Sequence, residues 1–170
     1  MKRENGTMFV KGITDEDFVN YKKPSMYIAF PNCTFKCDKE AGCSICQNSS
    51  LANEPDIEIS EETIVERYMN NPITKAIVCA GLEPFYSPAI LYELVSAFRK
   101  VTNDDIVIYT GFRECEFKHL LAYKKYLEAF QEFPNIIIKY GRFIPNQEKH
   151  YDEVLGVELA SPNQYARRIS

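Results

Sequence analysis

Apolar positions along the chain follow two rhythms. Short runs rich in β-branched and aromatic residues, Ser25–Phe30, Lys75–Cys79, Asp105–Tyr109 and Ile136–Tyr140, predict four strands. Between them apolar residues recur at helical spacing. Ser60 is placed to cap a helix with Glu61 and Glu62 in its first turn, Ile64, Val65 and Tyr68 on one face, and Asn70-Asn71-Pro72 to close it. Pro88 opens a second helix whose Ile90, Leu91, Leu94, Val95 and Phe98 share a face. Phe117, Leu120, Leu121, Leu127 and Phe130 mark one long or two short helices before Pro134, and both stripes read as core faces, with Lys124-Lys125 on a solvated side. From Gly141 onward the pattern is less periodic, although Val157–Ala160 suits a last short strand.

Strands alternating with amphipathic helices imply an α/β fold built from right-handed βαβ units around a parallel sheet. The 170 residues fall well short of the roughly 250 of a closed eight-unit barrel. The expected architecture is therefore a single domain over residues 1–170, an incomplete parallel β/α barrel of about four or five units. Ligands of such sheets gather at the carboxyl ends of the strands. The glycine turns at Gly81 and Gly111 fall there, and so does a cluster of cysteines directly after Phe30.

Composition narrows the function. Apolar residues are 45% of the chain, enough for a sizeable core, and the net charge of -4 argues against sequence-independent nucleic-acid binding. The longest apolar stretch, around Ala76–Ala80, is far below the ~18 residues a membrane span requires. Met1 to Gly6 carries charge with no apolar stretch behind it, so no export leader is expected and the cytoplasm is the expected compartment.

In a reducing compartment a cluster of thiols signals metal. Cys33, Cys37, Cys43 and Cys46 lie within fourteen residues. If all four bind, the site is closed, as in a structural zinc site or a saturated iron-sulfur cluster. If only three hold a cubane, one iron stays open to chelate a substrate. Cys43-x2-Cys46 alone looks like half a zinc ribbon, so spacing leaves both metals open. Cys79 reads as a small buried hydrophobe, and neither it nor Cys115 is assigned chemistry.

Six segments then recur in order. They are Glu16-Asp17-Phe18-Val19-Asn20 before the first strand, Cys33-x3-Cys37 with Cys46-Gln47-Asn48, Gly81-Leu82-Glu83-Pro84, Tyr109-Thr110-Gly111, Gly141-Arg142-Phe143, and Leu155-Gly156 through Ser161-Pro162-Asn163-Gln164. Together they resemble the radical S-adenosylmethionine enzymes, specifically the small activating proteins of anaerobic ribonucleotide reductases. Two positions depart from that pattern: Tyr21 stands for a glycine and Leu82 for the second glycine of G-G-E-P. Cys37 and Cys46 are also separated by eight residues rather than two.

The resemblance implies a radical SAM-like fold and a 4Fe-4S cluster held by Cys33, Cys37 and Cys46, with Cys43 as the alternative third ligand. It implies S-adenosylmethionine bound near Ile45, which would pack on the adenine, and near Gly81 and Glu83, which would engage the methionyl amino group. Tyr109, Thr110 and Asn163 would be further neighbours. The implied reaction is reductive cleavage to a 5′-deoxyadenosyl radical that installs a glycyl radical on an anaerobic ribonucleotide reductase, with flavodoxin or ferredoxin as electron donor. Neither His119 nor His150 has to take part. The alternatives are a radical enzyme with another substrate and a nonenzymatic four-cysteine zinc module.

Overall fold

Ten strands and five helices make up the computed structural model, which describes residues 6–170. Met1–Asn5, on which most of the leader expectation rests, lies outside the described residues. The chain opens with β1 (Thr7–Val10), β2 (Gly12–Asp17) and β3 (Ser25–Phe30), followed by the short helix α1 (Lys36–Ala41), a 3-10 turn at Ser49–Asn53, and β4 (Ile57–Ser60). Next come α2 (Glu61–Met69), β5 (Ala76–Gly81), a 3-10 turn at Pro84–Tyr86, α3 (Pro88–Arg99) and β6 (Asp105–Tyr109). The chain ends with α4 (Glu114–His119), α5 (Leu121–Phe130), β7 (Ile136–Tyr140), β8 (His150–Asp152), β9 (Val157–Leu159) and β10 (Tyr165–Arg168).

Six strands form one sheet in the order β10-β7-β6-β5-β3-β2. The inner four, β3, β5, β6 and β7, are parallel, and β2 and β10 run antiparallel at the two edges. The four parallel strands lie side by side in chain order. Successive right-handed crossovers in one direction put their helices on one face of the sheet. That face packs Ile28, Ile77, Cys79, Ile108 and Ile138 against Ile64 of α2, Leu94 and Phe98 of α3, and Phe130 of α5. The other face carries the smaller Ala76, Val78 and Ala80 of β5 with Val107 and Ile137, and Tyr21, Leu155 and Leu159 cover part of it. Because strands between two layers are buried on both faces, their sequences run apolar without alternation.

Local signals act as expected in α2, where Ser60 Oγ accepts the Thr63 N–H at 3.1 Å. Two expectations are corrected. Leu120 and Leu121 are 39% and 81% exposed. The helix breaks at Leu120, whose ψ of 91° resets the helical phase, so the stripe begun by Phe117 does not continue through them. Val157–Leu159 is a strand, but it pairs with β8 in a separate two-stranded hairpin. The outer strand of the main sheet is β10, whose two arginines hide its strand signal and suit an edge. No helix among the described residues is long and apolar enough to cross a membrane.

Candidate metal centre and cofactor pocket

β3 delivers the chain to the cysteines at the carboxyl end of the sheet. Cys33 follows Phe30 by three residues, and its sulfur accepts the Phe35 N–H at 3.2 Å. Phe35 adopts φ 52° to turn the chain into α1, which carries Cys37 in its first turn. Gly42 ends α1, and the loop then doubles back. Asp38 Oδ1 accepts both the Ile45 and the Cys46 N–H groups at 2.8 Å, which returns Cys46 to the side of Cys37 despite the long separation in sequence. Asn48 Nδ2 donates to the Gly81 carbonyl at 2.7 Å and fastens the loop to the end of β5.

Cys33, Cys37 and Cys46 thereby line one cavity of about 300 Å³, together with Gly81, Glu83, Tyr109, Thr110 and Lys139. Burial pushes the Cys33 and Cys37 thiols up, and the neighbouring thiols add to the shift, while N–H groups of Phe35 and Phe143 counter it. Metal uptake would therefore release protons. Three predicted positions fall elsewhere. Cys43 is exposed and does not line the cavity. Ile45 is held through its backbone to Asp38 and is not a lining residue either. Asn163 faces a neighbouring cleft beside Tyr165 and Arg167, where its amide donates to the Arg142 carbonyl at 2.8 Å, and Gln164 lines the cavity instead.

The turn after β5 is shaped by contact. Gly81 has φ +88°, and a Cβ there would lie 2.7 Å from Ala29 Cα and Phe30 N. Leu82 lies outside the left-handed region, so this turn accommodates a side chain at its second position. Glu83 is buried and accepts hydrogen bonds from Phe85 N (3.1 Å), Thr110 Oγ1 (2.9 Å) and Gly111 N (2.8 Å). Burial raises its carboxyl to about 7, with those three donors pulling the other way. A carboxylate has about four acceptor positions, so about one is left uncommitted. Tyr109 OH donates to the Asn20 carbonyl at 2.6 Å and ties β6 to the β2–β3 link.

Lys139 is the lining residue the sequence reading did not single out. It lies in the middle of an Ile-Ile-Ile-Lys-Tyr strand, and an ammonium in a strand buried on both faces needs a polar recess. That oddity was the available signal. Its Nζ donates to the Gly141 carbonyl at 2.9 Å, and burial lowers its pKa to about 8 against the pull of Glu83 and Cys37. Gly141 itself has φ +100°, and a Cβ would meet Asn163 O at 2.5 Å. Cys79 is buried among the core side chains, where burial pushes its thiol up to about 12.

Three of the four clustered thiols line one cavity while Cys43 is exposed, a donor set that fits a 4Fe-4S cluster with one iron left to another ligand. Among the described residues no three His, Cys, Asp or Glu side chains gather tightly enough to hold one metal ion. A 4Fe-4S cluster takes each thiolate on a different iron, so it does not require the three sulfurs to meet at one ion. The family model of the 4Fe-4S single cluster domain matches residues 25–160. The chain belongs to that family, a 4Fe-4S cluster domain of the radical S-adenosylmethionine activase type. No curated protein and no solved structure matches it.

Proposed function

We propose that this chain is a glycyl-radical activase: Cys33, Cys37 and Cys46 hold the 4Fe-4S cluster, S-adenosylmethionine occupies the adjoining space, and the acceptor is an anaerobic ribonucleotide reductase. The observation that carries the reading is the convergence of three thiols, a buried carboxylate and a buried ammonium on one cavity at the carboxyl ends of parallel strands. The one-sided winding of the sheet is in keeping with a partial barrel. When bound, the cluster supplies one electron to the sulfonium, giving methionine and a 5′-deoxyadenosyl radical that takes a hydrogen atom from a glycine α-carbon of the partner.

The chain's own residues bind and orient. Lys139, which lines the cavity, would pair with the methionyl carboxylate, and the uncommitted acceptor position of Glu83 would take the amino group. Thr110 and the Gly111 N–H hold Glu83 in place for that contact. Asp38 keeps the third thiol in reach. The family resemblance would add Ile45 and Asn163 to the cofactor's contacts, although neither lines the cavity in this structure. A cavity of about 300 Å³ is at the small end of those that enclose a single ligand. The hydrogen donor therefore approaches from outside, which suits a loop of a macromolecule. A flavodoxin or ferredoxin is the electron source.

Anaerobic reconstitution tests the reading. The protein is expected to take up about four iron and, with dithionite, to release 5′-deoxyadenosine. Mixing with the reductase should then give a glycyl signal in electron paramagnetic resonance. Cys33→Ala and Cys37→Ala should lose the cluster, and Cys43→Ala should keep it. Lys139→Met should keep the cluster and weaken S-adenosylmethionine binding ~10-fold or more, the loss of one charge-assisted contact. Bound zinc in place of iron, or a loaded protein that leaves the sulfonium intact, would overturn it.

A further inference from the structure

Helix α1 carries Cys37 and buries none of its six residues. Apolar packing therefore does not hold this ligand in place. Lys36 and Glu40 lie four residues apart on α1, on either side of Cys37 in sequence, and both reach one charged network. Lys36 Nζ is 3.5 Å from Glu116 Oε1, Glu40 Oε1 is 3.4 Å from Arg142 Nε, and Arg113 Nη2 is 3.5 Å from Glu40 Oε2.

At the centre is Arg142, 3% exposed. Its terminal nitrogens grip Glu116 at 2.9 and 2.6 Å, and Glu116 also accepts the Arg113 N–H at 2.7 Å at the start of α4. The Nε of Arg142 is buried and makes no hydrogen bond among the described residues. The next residue, Phe143, lines the same cavity as Cys37. Arg142 also shares a small cavity with Cys33, Cys37 and Glu83.

A buried arginine-carboxylate pair adds little net stability compared with apolar residues of the same size. Its place against a helix that lacks apolar anchors suggests a different use. We infer that Arg142 is a positioning residue for the metal centre: through Glu116 and Glu40 it docks α1 so that Cys37 lines the cavity, and it sets a positive charge beside the thiolates. The inference rests on the cluster reading above. Nearby charge and hydrogen bonds to sulfur tune iron-sulfur potentials, and a cation favours the more negative, reduced form. Loss of the Arg142 charge should make the cluster harder to reduce. Loss of the Glu116 charge should make it easier.

The test compares wild type with Arg142→Met, Arg142→Lys and Glu116→Gln after anaerobic loading, by bound iron, potentiometric titration and the thermal midpoint of the cluster-free forms. Arg142→Met should bind the cluster ~10- to 100-fold more weakly, the usual range for residues that orient ligands. The cluster it retains should titrate at a more negative potential, Glu116→Gln should shift it positive, and Arg142→Lys should lie between Arg142→Met and wild type. Misfolding alone does not move a potential in opposite directions for two members of one ion pair. Wild-type potentials in the variants, or shifts of one sign, would overturn the inference. Should Arg142→Met fail to fold, the other two variants decide it. A wild type that takes up no iron would sink the cluster reading and this inference together. A loaded wild type that leaves S-adenosylmethionine intact would sink only the activase reading.

Discussion

Gly81 shows how one residue sets the geometry of the cavity. It ends β5 opposite Phe30 of β3, and the backbones come so close that a methyl group would sit 2.7 Å from Ala29 Cα and Phe30 N. Backbone atoms of a sheet interior cannot swing aside as a flexible side chain can, and φ +88° is itself costly for alanine. Gly81→Ala is therefore expected to destabilise the protein by ~2–5 kcal/mol, combining a strained φ with a forced backbone shift. An unchanged urea midpoint would refute that. The neighbouring Leu82 needs no left-handed φ, which is why the turn keeps its course although the second glycine of the related pattern is missing. Glu83 then enters the core with every hydrogen bond but one already committed to its own turn and to the end of β6.

Among the elements, α1 and its loop are the least anchored part of the site. β5 is buried along its whole length, whereas α1 is held by ion pairs and by the two N–H groups that Asp38 accepts. Segments with few buried apolar contacts open first, and a ligand that binds only the closed form suppresses that opening. Cluster uptake should slow amide exchange across Lys36–Ala41 by ~10-fold or more and leave β5 and β6 unchanged. Equal protection of α1 with and without the cluster would contradict this account. The same contrast explains what the sequence made legible. β3, β5, β6, β7, α2 and α3 follow from periodicity and capping because each is fixed by burial against a core. β2 and β10 were not legible, since Asp15-Glu16-Asp17 and Arg167-Arg168 mask strands that only pair at the sheet's edges. In the site, the thiols, Gly81 and Glu83 stood out by motif. Lys139 showed only as a charge inside an apolar strand, and Asp38 and Arg142 act through partners that the folded chain sets opposite them, which no local pattern marks.

Across the whole molecule, charge closes the end of the sheet opposite the cavity. Asp105, the first residue of β6, accepts from Tyr21 OH at 2.9 Å, from Arg168 Nη2 at 2.9 Å and from Lys23, so one carboxylate joins the β2–β3 link, the central sheet and the C-terminal edge strand. Burial alone would raise its carboxyl, but the hydrogen bonds from Lys23, Arg168 and Tyr21 outweigh it and hold it below the usual range. Near the metal centre, burial likewise opposes the bonds from Arg142 and Arg113, and Glu116 is held at about 2. Both folded values lie below the unfolded ones. The stability these groups contribute is fully present above the ordinary carboxylate range and drains away as pH falls through the folded values. The urea midpoint of the cluster-free protein should therefore drop from pH 6 to pH 3 more steeply in wild type than in Asp105→Asn/Glu116→Gln, which has lost both linked carboxyls and should start lower and fall less. Parallel curves for the two proteins would mean that the acid sensitivity arises elsewhere, from general repulsion as the net charge of -4 turns strongly positive, and would remove these two carboxylates as the acid-labile ties between distant parts of the chain.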